Sequence, residues 1–188
     1  SSPMSVDGIM DKSPTGSGAA PGSPRELAHR FVHWLVQSGV EPGTRIGDRA
    51  GLAEVWSVSP STVREAVRIL EAAGVLEQRV GVGGGVFFQP READAIAGVL
   101  LWSAELGRVD DAALVRALAE VEGLIAAHAA RYAGPGDVRR CEQAARGDVV
   151  SLRDSVFHEV LAECAGNDVL GVLRRALAQA VTRRAGQA

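Results

Sequence analysis

At 188 residues the chain has room for one large domain or two small ones, and its 46% hydrophobic content is that of a globular protein. No apolar run reaches the ~18 residues a membrane span needs, and the first 23 residues lack the apolar core of a secretory signal. The formal net charge of −3 excludes a broadly basic nucleic-acid coat. The two cysteines, Cys141 and Cys164, have neither CxxC spacing nor a histidine-rich partner segment. They read as small buried or half-buried side chains in a reducing, cytoplasmic setting.

Residues 1–23 are rich in Ser, Gly and Pro and carry almost no periodic apolar signal, so they are expected to form a disordered arm. A first helix is predicted over 24–38, capped by Ser23, with Pro24 at its start and Leu27, Phe31, Trp34 and Leu35 on one stripe. His29 and His33 share the i, i+4 spacing of metal ligands but have no carboxylate or cysteine in register, so they are assigned to the polar face. Gly39 ends the helix, and Glu41-Pro42-Gly43-Thr44 reads as a turn. A short second helix over 48–56 is capped by Asp48, with Leu52 and Val55 turned inward.

Ser57-Val58 then leads tightly into a third helix. Ser59 is its predicted N-cap and Pro60 sits near the first helical position. Val63, Val67 and Leu70 recur at i, i+4, i+7 and face a core. Ser61, Thr62, Arg64, Glu65 and Arg68 lie off that stripe, and Gly74 ends the helix. Two short helices joined by a tight turn make a helix-turn-helix. Hydroxyls at the N-terminus of the second, with arginines one turn on, suit a DNA major groove. A hairpin is predicted over 77–88, with Gly81 and Gly83-Gly84-Gly85 at the turn. Gly83 and Gly84 leave room for close backbone approach to phosphates. Across 24–90 seven arginines are balanced by seven acids, so placement decides: Arg64, Arg68 and Arg79 fall where a DNA face would be.

These residues carry a family resemblance. The pieces Pro42-Gly43-Thr44-Arg45-Ile46, Leu52-Ala53-Glu54, Val58-Ser59-Pro60-Ser61-Thr62-Val63-Arg64-Glu65-Ala66-Val67, Gly74-Val75-Leu76 and Gly84-Gly85-Val86-Phe87 resemble the winged helix-turn-helix of GntR-superfamily transcription regulators. The resemblance implies DNA contacts from Ser59, Ser61, Thr62 and Arg64. It also marks departures: Ala50 stands where the second helix often has arginine, with Arg49 one position early, Pro60 replaces a frequent arginine, and Val82 replaces one in the wing.

From Asp94 onward the pattern is all helical. Helices are predicted over 94–105 and 111–132, the latter with the stripe Leu114, Leu118, Val121, Ile125 and Ala129. Gly134-Pro135-Gly136 breaks it, Asp137 caps a third segment, and two more follow over about 148–164 and 168–184. The expected fold is therefore mainly α: a winged helix-turn-helix over 24–90, with three helices and a β-hairpin wing, then an all-α antiparallel bundle over 91–188.

The second half resembles the helical effector domain of the FadR-type branch, often called FCD, through Asp154-Ser155-Val156-Phe157-His158, Leu161-Ala162 and Ala165-Gly166-Asn167, with Glu122 a weaker echo. The resemblance implies that Asp154 and His158 are the first two ligands of a divalent metal, often zinc. Their i, i+4 spacing puts both on one helix face. The family adds two later histidines. The printed sequence has none after His158, and a hydrogen-bonded Asp–His pair is the alternative. The segment over 137–148 is also shorter than such domains usually have.

The expected function is a homodimeric, repressor-type regulator that binds a pseudo-palindromic operator in double-stranded DNA. A small organic acid, held through a metal or Arg116, would control it. One alternative is a regulator whose sensor serves only dimerisation. The other is a metal-dependent helical hydrolase, against which stand the absence of HExxH, of a nucleophile elbow and of a phosphate loop with lysine.

Overall fold

The computed structural model describes residues 20–146 and 156–186. The chain divides into two compact units between Glu92 and Ala93.

The first unit contains α1 (Pro24–Ser38), β1 (Arg45–Gly47), α2 (Arg49–Val55), α3 (Pro60–Ala72), β2 (Leu76–Arg79) and β3 (Gly85–Phe88). Each helix starts where its capping chemistry dictates. Ser23 accepts from the Glu26 N–H and Asp48 from the Gly51 N–H, at 3.2 and 2.9 Å. The predicted stripes converge on one core of Leu27, Phe31, Trp34, Leu35, Leu52, Val63, Val67 and Leu70. At ~1.5–3 kcal/mol for each large apolar side chain removed from water, this core is the unit's main source of stability. Its centre is aromatic. Trp56, at the end of α2, stacks on Phe31 with ring centroids 5.4 Å apart, and Trp34 meets both rings edge-on.

The sheet departs from the sequence reading in one respect. It has three antiparallel strands in the order β1-β3-β2 where only the hairpin was expected. β1 comes from the tail of the predicted turn and pairs with β3, 40 or so positions away, through Arg45 opposite Phe87. Three residues are too few to display alternation, so only the distant partner defines this strand. The hairpin itself pairs Leu76 with Phe88 and Arg79 with Gly85.

The second unit contains α4 (Glu92–Glu105), α5 (Asp111–Tyr132), α6 (Pro135–Ala145), α7 (Val156–Cys164) and α8 (Asp168–Ala185). The α5 stripe serves two clusters. Leu114 and Leu118 pack with Ala97, Leu177 and Ala180, while Ile125 and Ala129 pack with Ala162, Cys164 and Ala165. Val121 touches both. α5 and α8 run antiparallel, since Asp111 pairs with Arg184 and Glu122 lies beside Arg174.

Two boundaries are corrected. α4 begins at Glu92, two residues early. α6 begins at Pro135 with Gly134 as N-cap, because proline suits a first helical turn that needs no N–H from it. Asp137 therefore sits inside the first turn and accepts from the Gly134 N–H at 3.1 Å. The start of the segment predicted from about 148 lies outside the described residues.

Candidate nucleic-acid interface and the polar centre of the helical unit

α3 is buried along Val63, Ala66, Val67 and Leu70, which turns its remaining faces outward. At its N-terminus three hydroxyls form a connected set. Ser59 Oγ accepts from the Thr62 N–H at 3.1 Å and lies 2.7 Å from Ser61 Oγ and 2.8 Å from Thr62 Oγ1. The cap thus occupies one acceptor site of Ser59 and ties the Ser61 and Thr62 hydroxyls to it, at the positive end of the helix dipole, where a phosphate is favoured.

The arginines divide by what already holds them. Arg64 and Arg49 are exposed and make no ion pair or hydrogen bond among the described residues. Arg68 pairs with Glu65 one turn back at 3.8 Å, an exposed contact worth little. Arg79 is more firmly occupied. It donates from Nε and Nη2 to the two carboxylate oxygens of Glu77, each at 3.1 Å, and its guanidinium lies 4.1 Å over the Phe87 ring. The hydrogen bond from Arg79 holds the Glu77 carboxyl below the usual carboxylate range, and the same bond raises Arg79.

The wing tip shows why glycines stand there. A Cβ on Gly84 would lie 2.5 Å from the Arg79 carbonyl oxygen, so Gly84 lets the turn close on itself. Gly85 at φ +144 would place a Cβ 2.7 Å from both Arg45 Nε and the Gly47 carbonyl oxygen. Gly83 is the one of the predicted pair whose surroundings are open. Val82 and Val80 are exposed beside it.

The helical unit has a second polar feature that the sequence reading did not find. Arg174 on α8 is 2% exposed, yet it is charged. Its Nη2 donates to Glu159 Oε1 on α7, and its Nη1 lies 3.8 Å from Glu122 Oε1 on α5. His158 Nε2 is 3.6 Å from the same Glu122 oxygen. Arg175 reaches Glu159 Oε2 at 3.4 Å, and Arg183 pairs with Asp94 at 3.7 Å. Asp94, Glu159, Arg174, Arg175, Gln179 and Arg183 line a cavity of about 230 Å³, with Glu122 and His158 outside its lining. Two residues of this lining hold buried atoms without a hydrogen-bond partner, Arg174 Nε and Nη1 and Gln179 Oε1, and His158 Nδ1 on α7 is a further such atom. Buried polar groups are ordinarily paired, so this concentration marks a place where a polar ligand would be accommodated.

A signal for Arg174 was present. Leu170, Arg174, Leu177 and Val181 fall at i, i+4, i+7, i+11, so the arginine interrupts an apolar stripe. Arg116, expected to hold an effector, is exposed, lies 3.8 Å from Asp110 and lines neither this cavity nor the apolar groove of the same unit. Of the expected metal ligands, Asp154 lies outside the described residues. His158 contributes an unpaired Nδ1 and Glu122 a nearby carboxylate, but no group of three or more His, Cys, Asp or Glu among the described residues is placed to hold a metal ion. The described donors therefore fall short of a zinc coordination shell.

A helix-turn-helix with an unpaired arginine on its second helix, backed by a three-stranded wing, is a DNA-binding module of the winged class. Residues 24–86 match the gntR family of bacterial regulatory proteins. It is 28% identical over 145 residues to the HTH-type transcriptional regulator LutR of Bacillus subtilis, covering 72% of this chain and 65% of that protein. It is 30% identical over 155 residues to an Escherichia coli protein whose name is that of an L-lactate dehydrogenase operon regulatory protein, covering 77% and 59%. The chain thus spans about three fifths of the length of these relatives. A GntR structure from Streptococcus agalactiae shares the fold, with a TM-score of 0.59 at 21% identity over 87% of this chain and 83% of that one. The names of these relatives are those of transcription regulators. No helix among the described residues is long and apolar enough to cross a membrane.

Proposed function

We propose that the protein is a cytoplasmic, homodimeric transcriptional repressor that reads a pseudo-palindromic operator and is released from it by a small carboxylic acid. The observation that carries the DNA half of this reading is Arg64, exposed and unpaired one turn inside a helix whose opposite face is buried. A guanidinium so placed donates two hydrogen bonds to a guanine edge, while Ser61, Thr62 and the helix N-terminus position the backbone. Arg49 and the Gly83 backbone would add phosphate contacts on either side. Two copies related by a two-fold axis would read half-sites about one helical turn apart.

The effector half rests on Arg174. Its Nε and Nη1, which donate no hydrogen bond, suit a carboxylate, and Gln179 Oε1, which accepts none, suits a hydroxyl. A small 2-hydroxy acid offers both groups, the class to which the name of the Escherichia coli relative also points. A zinc ion on Asp154 and His158 would provide a second anchor for the acid. An effector shifts DNA affinity only through different affinity for the two states of the dimer.

Selection of bound duplexes from a random pool tests the DNA reading, with enrichment of an inverted repeat expected. Calorimetry with 2-hydroxy acids, with and without added zinc, tests the sensor. A saturable heat that weakens operator binding supports it. Absence of any heat with both additions leaves the helical unit as a dimerisation platform only.

A further inference from the structure

Cys141 and Cys164 are the chain's only two cysteines, and they lie 23 positions apart. The fold brings them together across two helices, Cys141 from α6 and Cys164 from the last turn of α7, with their Sγ atoms 3.5 Å apart and both thiols free. Their surroundings differ. Cys164 is buried among Ile125, Ala129, Ala162 and Ala165. Cys141 is half-buried and lines an apolar groove of about 350 Å³ with Ala129, Phe157 and Leu161. The groove gives a small oxidant a route to one sulfur and not to the other.

We propose that Cys141 and Cys164 form a reversible dithiol–disulfide pair that crosslinks α6 to α7 when the protein meets a hydroperoxide. A disulfide needs its sulfurs ~2.05 Å apart, so rotation about the two Cα–Cβ bonds must close roughly 1.5 Å from the present separation. In the first step the Cys141 thiolate attacks the distal peroxide oxygen. The O–O bond breaks, the alcohol leaves with a proton from solvent, and Cys141 becomes a sulfenic acid. In the second, Cys164 loses its proton to solvent and its sulfur attacks the Cys141 sulfur. The S–O bond breaks and hydroxide leaves, taking up a proton as water. Both thiols have then been oxidised by two electrons in total and one peroxide has been reduced.

Burial, together with the neighbouring Cys141, pushes the Cys164 thiol up to about 11, so at neutral pH it is almost wholly protonated and inert by itself. It reacts because the sulfenic acid forms beside it. This ordering fits a pair that rests reduced and responds to an oxidant, the use to which intracellular disulfides are generally put. The crosslink closes a loop from α6 into the helix that carries His158 and Glu159, so it restrains one wall of the polar centre.

The test uses the full chain. Intact mass and thiol titration are followed after exposure to an alkyl hydroperoxide and again after dithiothreitol. The expected result is a mass lower by two hydrogens, loss of both titratable thiols, a single 141–164 linked peptide and full reversal by dithiothreitol. The oxidised form should melt about 5 °C or more above the reduced one. Cys141→Ser should leave Cys164 as an unmodified thiol under the same treatment. Disulfide-linked dimers, or oxygen added to Cys141 with no crosslink, would overturn the proposal. Because the linkage is read on the wild-type chain, it stands or falls independently of how well the variant folds.

Discussion

Arg45 Nε donates to the carbonyl oxygen of Gly84 at 2.9 Å, fastening the strand before α2 to the tip of the wing. The contact joins positions 39 apart in sequence and, together with the Gly47 carbonyl, leaves Gly85 no room for a side chain. Gly85→Ala would drive a Cβ against Arg45 and the Gly47 carbonyl at a positive φ. We expect a loss of about 1–3 kcal/mol in urea unfolding. Arg45→Ala, which removes the hydrogen bond but adds no clash, should cost only about 1 kcal/mol. Equal losses in the two variants would show that the steric account of Gly85 is wrong.

Ser59 has two duties that substitutions can separate. As N-cap it is worth about 1 kcal/mol, which Ser59→Ala should remove. Ser59→Asp should keep the cap and the melting temperature, since aspartate accepts the same Thr62 N–H. Its negative charge would nonetheless oppose a phosphate at the helix N-terminus, so DNA affinity should fall. An aspartate variant of unchanged stability and unchanged affinity would remove this helix end from the interface.

The Asp111 carboxyl is held below the ordinary aspartate range by its hydrogen bond from Arg184, at 2.7 Å, and by that residue's charge. A carboxyl depressed in the folded state contributes stability above its unfolded value, near pH 4, and loses it as pH falls through the folded value. Melting temperatures of wild type and Asp111→Asn should therefore differ at pH 6 and converge below about pH 3. A constant difference across that range would mean that the pair's charge does not contribute.

Arg174 is the other position where charge and burial coincide. Arg174→Met keeps volume but strands Glu122 and Glu159, both partly exposed, so the expected cost is about 1–3 kcal/mol. The same variant should lose any thermal stabilisation by 2-hydroxy acids. A variant that is destabilised yet still stabilised by the acid would put the effector elsewhere.

Much of the DNA module was legible in the sequence because its signals are local. Ser59, Pro60, Asp48 and Gly39 mark helix ends within one turn, and the stripe of Val63, Val67 and Leu70 needs only helical periodicity. β1 was not legible, since its identity rests on a partner strand far along the chain. Arg79 read as an open basic residue because nothing in its neighbourhood announces that Glu77 and Phe87 share its face of the hairpin. The helical unit follows the same rule. The α5 stripe was visible, while the polar centre needed α5, α7 and α8 brought together before Glu122, His158, Glu159 and Arg174 could be seen as one group.

The central claim is that Arg64 reads sequence. Fluorescence anisotropy with the selected operator and with an unrelated duplex, at one fixed salt concentration, tests it directly. Arg64→Ala should weaken operator binding by about 1–3 kcal/mol per half-site, at least a tenfold loss, and change binding to the unrelated duplex far less. Unchanged operator affinity, or an equal loss on both duplexes, would contradict it.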